Sequence, residues 1–264
     1  MKFVYFTKTL PALDALQWVT WCQSVGLDGL DLAVRPGYPV NPDNVRKILP
    51  KWISVLRGEN LFIQIVTAPV DLIHSEDRRA VDIFEACKSA GIPAVKIGYF
   101  NFQGQYEANY RKARSALEGF ARLAERTGVK ACYHTHSGRN LGNNGAGLRL
   151  LLEGIDPHYI GAFLDTGHLA LGGGPFDLEV GIIKPWFSLL AIKDISWSNT
   201  EGVWSNKIVP VNNGIVKWND VGSTLKAQSF QGVVSLHGEY ALDGSHARSK
   251  MAAIELAFLK TLIA

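Results

Sequence analysis

Seven histidines are spread over 264 residues, and four of them stand in three short segments whose residue types fit metal or acid–base chemistry. In Cys132-Tyr133-His134-Thr135-His136 the two imidazoles are two residues apart. On an extended strand a period of two puts both on one face, where they can reach a single cation. In Phe163-Leu164-Asp165-Thr166-Gly167-His168 an apolar run stops at a carboxylate, so Asp165 is either a ligand or the cap of a following helix. In Ser235-Leu236-His237-Gly238-Glu239 the same alternation groups Ser235, His237 and Glu239. A glutamate two residues beyond an inward histidine suits a carboxylate ligand or a general base; the plainer reading is a salt-bridged rim residue.

Further polar residues fall where a strand would otherwise be apolar. Lys193 in Ala191-Ile192-Lys193-Asp194 should point inward with Ala191, and an inward lysine needs a carboxylate or a ligand oxygen to keep its charge. Asp31, Arg35, Gln64 and Lys96 can also reach the interior or its rim, and pairing of Asp31 with Lys96 would satisfy two of them. Trp197 and Trp204 could stack on a sugar ring or simply anchor their loop.

These segments need a scaffold that brings distant strand ends together. Strand patterns occur at 3–6, 29–33, 61–66, 94–99, 129–134, 159–164, 189–194 and 232–237. Each is followed by a helix pattern, at 13–25, 43–56, 75–90, 106–127, 145–154, 176–186, 217–226 and 246–263. Eight β-then-α units predict an α/β fold of one (β/α)8 barrel domain over residues 1–264. Glycines at 91 and 128 stand where helices must stop before the next strand. The connections after the strands are longer, especially 101–105, 137–144, 172–175 and 196–214, and in such a barrel the site lies on that face. A doubly wound open sheet ranks lower because no GxGxxG follows the first strand.

Composition narrows the partners. With 27 basic against 24 acidic residues dispersed along the chain, no basic run interleaved with aromatics points to nucleic acid. The apolar stretches fall short of a membrane span. Three widely spaced cysteines, Cys22, Cys87 and Cys132, predict buried reduced thiols and a cytoplasmic location, although removal of a leader peptide would leave the same sequence.

Taken together, Leu30-Asp31-Leu32-Ala33-Val34-Arg35-Pro36-Gly37, Tyr133-His134-Thr135-His136, Leu164-Asp165-Thr166-Gly167-His168, Ala191-Ile192-Lys193-Asp194 and Val234-Ser235-Leu236-His237-Gly238-Glu239-Tyr240 resemble the xylose isomerase-like TIM-barrel superfamily, often labelled sugar phosphate isomerases/epimerases. The resemblance implies one divalent metal ion (Mn, Mg, Co or Zn), held by a Glu, an Asp, a His and a Glu after strands five to eight. Asp165 and Glu239 match the second and fourth positions. His134 stands at the first, as in a subgroup with a Tyr-His-Asn-His pattern, and Ala191 stands where the third ligand is histidine. His136 or His237 would complete the set of His134, Asp165 and Glu239.

The expected activity is isomerisation or epimerisation of a ketose or keto sugar, with Glu239 or a histidine removing a proton next to a carbonyl. Lys193 and His168 would stabilise the enediolate oxygen or return the proton. Arg35, Lys96 and Trp197 are the expected substrate contacts. Elimination from a 3-keto sugar or glycoside is the alternative chemistry. An endonuclease IV-like hydrolase would need more ligands than the sequence supplies, and a non-catalytic carbohydrate-binding barrel would dispense with them. No glycine-rich phosphate loop is apparent. Barrels of this kind often form homodimers, though no segment of the sequence points to pairing.

Overall fold

The computed structural model describes residues 1–263. Eight parallel strands close into a barrel: β1 (Lys2–Phe6), β2 (Gly29–Ala33), β3 (Phe62–Thr67), β4 (Ala94–Lys96), β5 (Lys130–His134), β6 (Ile160–Asp165), β7 (Phe187–Ile192) and, after a hairpin described below, β10 (Val233–Leu236). Strand β10 lies between β1 and β7, which closes the sheet. Among the described residues no helix is long and apolar enough to cross a membrane.

Helices α1 (Ala15–Val25), α2 (Val45–Gly58), α3 (Arg78–Ala90), α4 (Tyr106–Thr127), α5 (Gly145–Leu152), α6 (Thr166–Gly172), α7 (Phe176–Ile183), α8 (Trp218–Ala227) and α9 (Gly244–Ile263) fill the connections. Local chemistry fixes their ends. Asp14 and Gln17 form a reciprocal capping box at the start of α1, and the side chains of Asp77 and Asn144 cap α3 and α5. Gly91 and Gly128 end α3 and α4 in the left-handed conformation that the sequence pattern requires of them. The helices pack on the outside of the barrel through the large apolar cluster, which includes Trp18, Leu49, Phe84 and Phe120. A small second cluster, Val4, Ile65, Ala94, Cys132, Phe163, Leu189 and Ala191, fills the barrel interior. Cys22, Cys87 and Cys132 are buried free thiols, as expected.

The structure departs from the sequence pattern at several points: helix α6 is not among the expected helices, and the seventh strand spans 187–192 and not 189–194. Strand four ends at Lys96 and not at Tyr99. Strand three carries an irregularity: Leu30 pairs with Ile63 but Asp31 with Ile65, so Gln64 is skipped, and Ile65 takes the inward place expected for Gln64. The connection after β7 is not an irregular loop. It is an antiparallel hairpin of β8 (Asp194–Thr200) and β9 (Val203–Val209) that stands apart from the barrel sheet.

One buried carboxylate closes the base of that hairpin. Asp194 accepts hydrogen bonds from the backbone N–H groups of Ile195 (2.9 Å), Asn212 (3.0 Å), Gly214 (3.0 Å) and Val216 (3.2 Å), and from the indole of Trp218 (3.0 Å). Gly214 is required here: a Cβ at this position would lie 2.1 Å from Asp194 Oδ1.

Candidate active site at the carboxyl ends of the strands

The ends of β5, β6 and β10 bring His134, Asp165 and His237 together, all buried, each offering one ligand atom within 4.8 Å of the others. The free atoms are selected by what holds the opposite side of each group. His134 Nδ1 lies 3.1 Å from the Tyr99 hydroxyl, which leaves Nε2 facing Asp165 Oδ2 at 3.6 Å. Asp165 both caps α6 and faces the mouth, because Oδ1 accepts the His168 N–H at 2.9 Å while Oδ2 points inward. The cap and ligand readings of its sequence are therefore compatible. His237 stacks parallel to His134 with ring centroids 5.9 Å apart, and the Phe163 ring meets both edge-on from the barrel interior. Among the described residues, His134 Nε2, Asp165 Oδ2 and His237 Nε2 have no hydrogen-bond partner. Their contacts are ionic only, 3.3 Å from Lys193 Nζ to Asp165 Oδ2 and 3.5 Å from Asp31 Oδ2 to His237 Nε2, and two imidazole nitrogens with a carboxylate oxygen are a donor set that fits a divalent transition metal.

Beside this cluster lies a dense charge network. Lys193 Nζ is 3.0 Å from Glu239 Oε1, 3.3 Å from His168 Nε2 and 3.3 Å from Asp165 Oδ2. Glu239 Oε2 is ion-paired with Lys8. Burial alone would lower the Lys193 pKa, but the facing carboxylates of Asp165 and Glu239 raise it above the ordinary lysine value. Burial opposes ionisation of Glu239 in the same way, and His237, Lys193 and Lys8 overcome it, holding the carboxyl below its ordinary range. Asp165 is likewise held low, against burial, by Lys193, His168 and His237. The His168 imidazole, desolvated and beside Lys193, is lowered to about 3. It is therefore neutral near pH 7, which fits Nε2 as an acceptor for Lys193 and Nδ1 as a donor to Ser137 Oγ at 2.9 Å. Burial also pushes the His134 pKa well down, whereas contacts with Asp31 and Glu239 raise that of His237 despite its burial.

The residues expected from sequence thus divide into groups. His134, Asp165 and His237 form the three-atom cluster. Glu239 lies outside it, with its oxygens directed at Lys193 and Lys8. His136 also lies outside: its ring stacks on His168 at 4.0 Å, and its Nδ1 lies 3.0 Å from the Ser137 carbonyl. Arg35 and Lys96 line the same cavity of about 380 Å³ as His134, His168, Lys193 and Glu239. Asp31 does not pair with Lys96, because its oxygens accept the hydroxyls of Thr67 (2.6 Å) and Ser235 (2.9 Å). Trp197 sits farther out on the hairpin, 43% exposed, while its cross-strand partner Asn206, with Ile195 and Ile208, lines the cavity.

Lys8, Tyr99 and Ser137 take part without having been expected. Lys8 follows the first strand, a position that the logic of strand ends could have flagged. Tyr99 and Ser137 lie where the chain has left strand alternation, so periodicity carried no signal for them.

A family model described as xylose isomerase-like TIM barrel matches residues 19–262. The chain belongs to the xylose isomerase-like TIM barrel family. A search among curated proteins finds no match. Solved structures with the same fold include the 3-keto-D-glucoside 4-epimerase of E. coli, at 13% identity and TM-score 0.77, with 99% of each chain covered. A D-psicose 3-epimerase of Clostridium cellulolyticum H10, solved with D-tagatose, has 12% identity and TM-score 0.78, with 100% of this chain and 99% of that one covered. A probable 3-DHS dehydratase of Bacillus anthracis has 15% identity and TM-score 0.76, with coverage of 98% and 99%. At these identities the likeness is one of fold, shared among xylose isomerase-like barrels named for different reactions.

Proposed function

We propose that the protein is a metal-dependent isomerase or epimerase of a ketose or keto sugar, acting by proton transfer next to a carbonyl. The observation that carries the reading is the adjacency of three converging ligand atoms, on His134, Asp165 and His237, to a carboxylate, an ammonium and a neutral imidazole in one cavity. A divalent cation held by those three residues supplies polarisation of a substrate carbonyl or hydroxyl oxygen. The protein's own groups do the rest. Glu239 is the carboxylate that lines the cavity and removes the proton. Its partner Lys8 is nearly half exposed, so an entering substrate can displace that ammonium and raise the proton affinity of Glu239. Lys193 stabilises the developing enediolate oxygen through its ammonium and returns the proton, regaining one from Glu239 across their 3.0 Å contact, while His168, held by Ser137, accepts from that ammonium through Nε2 and orients it. Ile195 and Ile208 of the hairpin cover the mouth and limit water at the reacting carbon.

Glu239 is unaccompanied by a second carboxylate among the lining residues, which favours elimination from a 3-keto sugar or glycoside as the second reading. There Glu239 removes the proton and Lys193 protonates the leaving oxygen.

The test is incubation of the protein, loaded with Mn(II) or Zn(II), with a panel of ketoses and 3-keto glycosides in D2O, followed by NMR and by metal analysis. Deuterium entering the carbon beside the carbonyl, with stoichiometric metal, is the expected result. An epimerised product assigns the first reading and an unsaturated product the second. Unexchanged substrates throughout, with substoichiometric metal, would sink both.

A further inference from the structure

Each carboxylate around the mouth is committed to a partner, but two cations are not. Asp31 is taken by Thr67 and Ser235, Asp165 by the His168 N–H and Lys193, and Glu239 by Lys193 and Lys8. Lys96, at the end of β4, is only 2% exposed, and its Nζ has no hydrogen-bond partner among the described residues. Its ammonium lies 3.5 Å from the centroid of the Tyr99 ring, a face that accommodates a cation but accepts no conventional hydrogen bond. Arg35, just beyond β2, lies over the Phe6 ring at 5.6 Å, and its buried Nε is also without a partner among the described residues. Both side chains line the cavity that holds Glu239 and the three ligand atoms.

Two neighbouring basic groups that face one cavity without a hydrogen-bonded anion of their own are a poor way to build a core. Burial, reinforced by the charge of Arg35, depresses the Lys96 pKa well below the ordinary lysine value, against the pull of Asp31 and Glu239. The cavity, at about 380 Å³, is within the range of small-molecule sites. An oxyanion between the two groups would accept charge-assisted hydrogen bonds from both. We infer that Lys96 and Arg35 form a receptor for an oxyanion carried by the substrate, so that the sugar processed here is an acidic keto sugar and not a neutral ketose. The inference rests on the carbohydrate reading of the mouth and adds the substrate class to it. A carboxylate and a phosphate share the chemistry. The carboxylate is favoured by the depth of Lys96 and by a receptor made of two side chains, without the run of backbone amides that cradles phosphate.

The experiment is calorimetric titration of the metal-loaded protein with D-fructose, 5-keto-D-gluconate and D-fructose 6-phosphate, on wild type and Lys96→Met. Wild type should bind 5-keto-D-gluconate at least about tenfold more tightly than D-fructose, and the preference should fall to within about threefold in Lys96→Met. A preference for D-fructose 6-phosphate over 5-keto-D-gluconate would assign the receptor to phosphate. As a ligand-free readout, removal of an unpaired buried ammonium should raise the Tm of Lys96→Met by roughly 2–4 °C. Equal binding of acidic and neutral sugars by wild type, or a preference that survives in Lys96→Met, overturns the inference. If hydrogen exchange is seen with D-fructose and acidity brings no advantage, the isomerase reading stands and the receptor falls. If acidic sugars bind preferentially without exchange of substrate hydrogen, the receptor stands and the isomerase reading falls.

Discussion

The barrel interior has two layers built by the same strands, and they obey opposite rules. Below are Ile65, Ala94, Cys132, Phe163, Ala191 and Val233; two residues farther along the same six strands stand Thr67, Lys96, His134, Asp165, Lys193 and Ser235. The lower layer is apolar and packs without polar atoms to satisfy, so each side chain stabilises the fold by leaving water. The upper layer is equally sequestered yet polar, and Asp165 and Lys193 in it stay ionised by facing one another. The alternation of a parallel strand accounts for the change: a step of two keeps a side chain inside the barrel and moves it one level toward the mouth. Stability and chemistry are thereby separated by less than 7 Å of strand. Ala191 falls on the stability side, with Lys193 above it as the polar residue of β7.

Substitutions one level apart should sort cleanly into losses of rate and losses of stability. The largest effect is expected from Glu239→Gln, which retains shape and removes the proposed base. Turnover of the identified substrate should fall by roughly 10²–10⁴-fold with an unchanged far-UV circular dichroism spectrum, and full retention of activity would move the base to a histidine. Next is Leu189→Ala, one level below Ala191 in the same apolar cluster, where a buried side chain is truncated. Chemical denaturation should show a loss of about 2–5 kcal/mol, while kcat, measured where the variant is still folded, stays at the wild-type value. A fall in kcat matching that of Glu239→Gln would break the two-layer picture. Smallest is Trp197→Ala on the outer hairpin, for which stability should change by less than about 0.5 kcal/mol. Its KM should move little, since Asn206 and the two isoleucines, not Trp197, reach the cavity. A large rise in KM would extend the site outward to the tryptophan that the sequence put forward.

Sequence made the architecture legible because eight β-then-α alternations, stopped at Gly91 and Gly128, admit few closed arrangements. It also marked the strand ends, since His134, Asp165, Lys193 and His237 interrupt otherwise apolar runs. What it left open depends on neighbours in space. Whether Asp31 meets Lys96 is decided by hydroxyls on two other strands, Thr67 on neighbouring β3 and Ser235 on β10 beyond β1, and no one-dimensional pattern contains that competition. Gln64 was misplaced by a single skipped residue, which reverses inside and outside. The hairpin escaped notice because both its strands are largely exposed over their outer part and lack the apolar alternation of a half-buried strand. Its signal was present in Val203, Trp204, Ile208 and Val209, which follow the turn at Glu201-Gly202.

Because Asp194 gathers the start of the hairpin and the chain's return at Asn212, Gly214, Val216 and Trp218 onto one carboxylate, the barrel meets this excursion at a single closed gate. Whatever lies beyond that gate can lengthen, shorten or be exchanged while the strands on either side keep their places. The hairpin is thus a replaceable cassette, through which descent can alter which molecules enter without rewriting the chemistry beneath.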